Sequence, residues 1–399
     1  MKIIKTVSCC RLCDSSNIRG ILNFGEIALA NSYRKSICQA DETLIPLRVF
    51  QCCDCGSNQL FDEINSEVLF QNYYYVTPTV LQKHFNEYAA TTLSKLNHAN
   101  SNSLILGIGG NNGLLESEYQ KLGYSKVYNI EPAKNIAEMS INNKVPTINK
   151  FFNTETALQI LNEYGLAELI TCNNCFAHIS NLNEIVNGIK LLLAPDGMFV
   201  FENAYGLDTF CSNSDPGQIY HEHIYYHSVK PLKQFLEKHG LELVDVTLND
   251  NQLGSLRCYV SWPGAYNISS SVHNLIKIEK DFGLYNTDTY EKFTQDVGHI
   301  GDKLKSQIES CGGKVALYGV PAKITLLIKL WGLEKYIDYA VDSTETKIDH
   351  FIPGTNIPIK PIEFWIADNP AATLIGAYNY ENHIRNKHAQ YRNWIMPFQ

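Results

Sequence analysis

The chain has 399 residues, 45% of them hydrophobic and 19% charged, which is the balance of a globular protein too long for one ordinary core, so two or three domains are expected. Its formal net charge of −8 disfavours general binding to nucleic acid or to an anionic membrane surface. No run reaches the ~18 uninterrupted apolar residues of a membrane span, and the first residues lack an apolar signal core; a cytoplasmic protein is expected.

The N-terminal region carries two CxxC knuckles, Cys10-Arg11-Leu12-Cys13 and Cys52-Cys53-Asp54-Cys55-Gly56. Two residues between thiolates let both sulfurs reach one ion, and Gly56 suits the turn that closes a knuckle. Four such thiolates make a closed tetrahedral site, which predicts structural Zn2+. Cys9 and Cys53 adjoin the knuckles, but only Cys10, Cys13, Cys52 and Cys55 give both pairs this spacing together with the following glycine. Between the knuckles, residues 21–24 and 47–50 read as short strands. A module this small buries little core, which is a reason for a metal staple. Three tyrosines at 73–75 follow, candidates to line a cleft. Apolar spacing from Val80 to about Leu96 predicts a helix, with Thr77 or Thr79 as its cap.

Residues 103–106 read as a strand entering a glycine-rich turn, Gly107-Ile108-Gly109-Gly110-Asn111-Asn112-Gly113, then a helix over 114–121 and a strand over 126–131 whose last residue is Glu131. This is the first half of a doubly wound sheet, in which glycines admit a ligand and the acid accepts from ribose hydroxyls. It fits either an S-adenosylmethionine enzyme or a dinucleotide enzyme. A strand over 166–172, a helix over 182–193, the turn Leu193-Ala194-Pro195-Asp196-Gly197 and a strand over 198–202 continue the pattern, and this turn favours the methyltransferase. Asn173, Asn174 and His178 follow the 166–172 strand, where open α/β sheets place ligands.

The segment 218–227 holds three histidines, three tyrosines and a carboxylate. As a strand it sends Tyr220 and Glu222 to one face and His221 and His223 to the other; a tight turn converges them differently. A long helix is expected over 271–310, then a second α/β unit with strands at 314–318, 337–341 and 372–375. The turn Tyr318-Gly319-Val320-Pro321-Ala322-Lys323 combines a lysine with a helix N-terminus, a place for diphosphate.

Taken in order, the paired knuckles, the tyrosine run, the 173–179 segment, Ile219-Tyr220-His221-Glu222-His223, Gly254-Ser255-Leu256-Arg257 and the 318–323 turn resemble the sugar C-methyltransferases that act on nucleotide-linked 4-ketohexoses. The resemblance covers nearly the whole chain. It implies an α/β protein with a zinc-binding module (1–78), a central Rossmann-like S-adenosylmethionine-dependent methyltransferase domain (79–272) and a C-terminal Rossmann-like domain (273–399) for the nucleotide sugar. It implies a methyl transfer to C-3 of an NDP-4-keto-6-deoxyhexose, carried by dTDP or GDP, after a base removes the C-3 proton. Carried over from the family's motifs, His223 is the base, with Tyr220, Glu222, His178 and Asn174 around it. Gly107, Gly109, Asn112, Glu131 and Asn173 fall to the methyl donor, and Tyr74, Tyr75, Arg257, Tyr318 and Lys323 to the sugar nucleotide. A monomer is the simplest expectation. The chain departs from the family pattern at Gly107, where an acid is usual, at Gly110 and Asn112, where Ser and Asp are usual, and at Ile324, where glycine is usual.

Overall fold

The computed structural model describes residues 3–37, 42–70, 73 and 75–398. Its largest sheet has seven strands, in the order Glu242–Asn249, Ser255–Ser261, Leu193–Ala204, Ala167–Asn173, Leu104–Ile108, Lys126–Ile130 and Thr147–Ile148. Only Ser255–Ser261 runs against its neighbours. The central strands are apolar along their whole length because helices cover both faces; all five residues of Leu104–Ile108 are buried. The helix Leu114–Lys121 spans the expected residues, and the strand Lys126–Ile130 stops one residue before Glu131. The glycine turn, the end of Lys126–Ile130 and the end of Ala167–Asn173 thereby gather at one edge of the sheet, the side where parallel strands present ligands.

The five-stranded C-terminal sheet is wholly parallel, in the order Ile359–Lys360, Tyr339–Val341, Val315–Tyr318, Ala372–Ile375, Trp394–Ile395. The expected single helix over 271–310 is two helices, Ser270–Asp281 and Thr287–Ser310. Gly283, at φ 75°, turns the chain between them, a conformation that a side-chain-bearing residue adopts only at a cost. The turn lets buried Glu279 serve elsewhere: it accepts from the backbone N–H of Val229 and Lys230, at the start of the helix Val229–Lys238, and from the Tyr205 hydroxyl at 2.9 Å.

The N-terminal strands are longer than expected, Ile18–Ala28 and Leu44–Cys52, paired antiparallel. Asn58–Leu60 extends this sheet, and its last strand is Tyr225–Tyr226 from the histidine-rich segment. The zinc module and the methyltransferase part therefore share one sheet. Tyr33, within the module, donates its hydroxyl to the Val320 carbonyl of the C-terminal unit at 3.0 Å. Among the described residues no helix is long and apolar enough to cross a membrane.

Candidate active site and zinc centre

The sulfurs of Cys10, Cys13, Cys52 and Cys55 all lie within 4.8 Å of one another. Cys10 and Cys55 are 3.7 Å apart, Cys13 and Cys52 3.5 Å, close to the ~3.8 Å edge of a tetrahedron with Zn–S bonds of about 2.3 Å. Each knuckle closes by a backbone bond, Asp14 N–H to Cys10 O and Gly56 N–H to Cys52 O, both 2.9 Å. The Leu12 N–H and the Gln59 amide point at the Cys10 sulfur, as thiolate charge requires. Cys9 and Cys53 are exposed. The donor set fits zinc.

A cavity of about 340 Å³ opens against the glycine turn, lined by Gly109, Gly110, Glu131, Asn173 and Asn174 among others. Gly109 sits at φ 64°, and a Cβ there would come 2.5 Å from the Cys175 sulfur, so only glycine lets the turn approach the strand end. Glu131 accepts from the Asn111 and Ala133 N–H groups at 3.1 and 2.9 Å and keeps lone pairs for a further donor. Burial raises its carboxyl above the ordinary value. Both side-chain polar atoms of Asn173 are buried and find no partner among the described residues; a buried amide so placed calls for a polar ligand. Glycines that admit a ligand, a carboxylate and an orphaned amide fit an adenosyl and methionyl group.

Asn111 was not singled out by the sequence, yet it fastens the tyrosine segment to this turn. Its side chain accepts from the Thr77 N–H and donates to the Tyr75 carbonyl, at 2.9 and 3.0 Å. Thr77 is thus engaged by its backbone, and neither threonine caps the helix Gln82–Ser94, which enters through a short 3-10 turn at Thr79–Leu81. Asn112 donates to the Thr77 carbonyl and lines neither this cavity nor the second.

The second cavity, about 590 Å³, lies between the central and C-terminal sheets. It shares Tyr73, Tyr75, Asn174 and His178 with the first. Its floor is the histidine-rich segment, which is a turn: the His223 N–H bonds to the Tyr220 carbonyl at 2.9 Å. The turn brings Tyr220, Glu222 and His223 to one cavity and buries His221, whose Nε2 donates to the Ile45 carbonyl at 3.1 Å. Tyr225, Tyr226 and His227 are buried packing residues.

His223 Nδ1 lies 2.8 Å from the Gln218 carbonyl. A carbonyl only accepts, so Nδ1 carries the proton and Nε2 the lone pair, which accepts from the Tyr220 hydroxyl at 2.8 Å. Burial, with Lys323 nearby, lowers its pKa to about 4, against the pull of the Gln218 carbonyl. The ring is therefore neutral across the physiological range. His178 stands edge-on at 4.8 Å between ring centroids and is also kept neutral, by burial first and then by His223. Glu222 accepts from the Asn31 amide at 2.5 Å and the Tyr73 hydroxyl at 3.0 Å, and burial pushes its carboxyl up to about 7. Asn31 carries no sequence signal; Tyr73 belongs to the tyrosine run, beside the Tyr75 expected to bind substrate.

Models of three families match the chain in order: a zinc binding domain at residues 10–70, a methyltransferase domain at 63–246 and a C-methyltransferase C-terminal domain at 251–398. Among curated proteins the chain is similar to the C-methyltransferase NovU of Streptomyces niveus, 29% identical over 95% of this chain and 91% of that protein. These matches make the chain a C-methyltransferase with a zinc-binding domain. S-adenosylmethionine is the methyl donor of this C-methyltransferase and zinc its structural metal. Among solved structures, a methyltransferase from Clostridium acetobutylicum aligns at TM-score 0.37 and 13% identity, over 46% of this chain and 92% of that one. The magnesium protoporphyrin IX methyltransferase of Synechocystis aligns at 0.35 and 13%, over 45% and 83%. At such scores the likeness adds nothing to the family match.

The remaining residues expected at the site of this C-methyltransferase divide in two. Tyr318 and Lys323 line the second cavity. Lys323 is buried, its ammonium donates to Asn379 and lies 4.3 Å from the Tyr378 ring centroid, and burial lowers it to about 8 although Asp215 pulls the other way. Arg257 and Gly107 line neither cavity. Arg257 faces Glu202 across paired strands and binds it at 2.7 Å, because a buried carboxylate needs a countercharge. Gly107 is packed against Glu116 inside its strand. Tyr74 falls outside the described residues.

Proposed function

We propose that the enzyme methylates C-3 of an NDP-linked 4-keto-6-deoxyhexose, with the donor in the 340 Å³ cavity and the sugar nucleotide in the 590 Å³ cavity. The observation that carries this reading is the shared wall of the two cavities, with a neutral histidine of fixed tautomer beside it. A ketone at C-4 acidifies the neighbouring C-3 hydrogen, and His223 Nε2 accepts that proton once the sugar displaces the Tyr220 hydroxyl from it. Negative charge then gathers on the C-4 oxygen, for which Asn174 and the neutral His178 on the shared wall are the donors. Donors placed in advance at such an oxygen lower the barrier because they need no reorganisation. S-adenosylmethionine, when bound, supplies a methyl group activated by its sulfonium.

Asn174 holds a left-handed conformation, φ 49°, and its N–H donates to the Glu202 carbonyl at 2.6 Å. Arg257 contributes here indirectly, by fixing Glu202. Lys347 and Lys387 also line the larger cavity and are further cations for a diphosphate, alongside Lys323.

The test uses the zinc-loaded protein, a panel of dTDP- and GDP-4-keto-6-deoxyhexoses, and methyl-labelled S-adenosylmethionine. The expected product carries its label on C-3 by NMR. With the donor omitted and D2O as solvent, the substrate exchanges its C-3 hydrogen for deuterium. Neither labelling nor exchange with any member of the panel would overturn the reading.

A further inference from the structure

The strand entering the glycine turn has no side chain at Gly107, and the space is filled from elsewhere. A Cβ built on Gly107 would lie 1.8 Å from Glu116 Oε1, and one on Gly110 would lie 2.4 Å from the same atom. Glu116 belongs to the first turn of the helix Leu114–Lys121. Its carboxylate reaches back beneath the turn and joins the wall of the donor cavity. The residue is 1% exposed, and its Oε2 finds no partner among the described residues. A buried carboxyl with one oxygen left unpaired costs stability, so two bare backbone positions house a group with an oxygen left over for a ligand.

We propose that Glu116 is a donor-binding residue, its carboxylate meeting the ammonium group of the methionyl part of S-adenosylmethionine. The proposal rests on the smaller cavity being the donor site. Burial, reinforced by neighbouring Glu131 on the adjoining strand end, pushes the Glu116 carboxyl up to about 8. The other titratable side chain facing it is Tyr119 on its own helix, whose phenol burial keeps neutral. With no cation among these neighbours, the carboxyl is protonated at pH 7 until a positively charged ligand arrives, and binding then expels the proton.

Calorimetry with S-adenosylhomocysteine, which retains the ammonium, tests this in two buffers of different ionisation enthalpy at pH 7. Glu116→Gln keeps the shape and removes the charge. It is expected to weaken binding about 10- to 100-fold, the range of a hydrogen bond between charged groups, and to abolish release of roughly one proton per site. A double variant, Gly107→Glu with Glu116→Ala, returns the carboxylate to the strand and is expected to restore much of the affinity; it also serves if Glu116→Gln does not fold. Equal affinity and equal proton release in wild type and Glu116→Gln would overturn the role of Glu116 and leave the donor site standing. No binding by the wild type would overturn both.

Discussion

A histidine whose conjugate acid is held near 4 looks a poor base until its surroundings in the reacting complex are considered. The depression comes from burial and from Lys323, and both weaken once an anionic enolate forms beside the ring, since the imidazolium then has a counter-ion. His223→Asn is expected to fold normally and lose about 10²- to 10⁴-fold in turnover, the usual share of a general base, with C-3 deuterium exchange lost in parallel; near-native exchange would remove His223 from the role. The pH profile carries a second expectation. Because His223 is neutral well below pH 6, it contributes no limb near neutrality. Glu222, raised to about 7, does: Tyr73 and Asn31 both donate to it, so the ionised form is the one that fits. kcat/KM is expected to rise through about pH 7 and to lose that limb in Glu222→Gln; a limb unchanged in the variant would assign the titration elsewhere.

At the scale of elements, the zinc centre and the turn that carries His223 are joined by one sheet. Gln59 donates to the Cys10 sulfur, and its backbone pairs with Tyr225, two residues beyond His223. Loss of the ion removes the staple from a small module and frees the sheet edge next to the 218–223 turn. Cys52→Ser is expected to lower zinc below one ion per chain and to reduce turnover more than it weakens S-adenosylhomocysteine binding, since the donor cavity is built on the other sheet. Equal losses in both would mean that the metal supports the fold generally. This connection was not legible in the sequence, because strand pairing between residues 58–59 and 225–226 leaves no local periodicity. Elements built from local rules were legible: the helix Leu114–Lys121 and the strand Ala372–Ile375 have their expected bounds. The single helix over 271–310 overlooked Gly283, whose left-handed φ of 75° turns the chain between two helices.

At the scale of the whole molecule, ordered motifs identified the three-part architecture, and the four knuckle cysteines were chosen by their spacing and the glycine that follows the second pair. What a motif does not reveal is whether its residue faces a ligand or another residue. Arg257 and Glu202 are 55 positions apart, and only the register of two strands shows that they neutralise each other. Glu116 was hidden for a like reason: an acid on a helix reads as surface until the glycines opposite it are seen as the space it fills.

The four-residue wall between the cavities has a kinetic corollary. On the proposed placement, donor and acceptor sit in two chambers that meet at this wall, so neither needs to traverse the other's chamber to reach its place. Initial-velocity plots at varied concentrations of both substrates are then expected to intersect, with no parallel pattern of a methylated enzyme intermediate. S-adenosylhomocysteine is expected to compete with the donor and to leave the apparent affinity for the sugar nucleotide nearly untouched. The spent donor can be exchanged while the sugar remains bound.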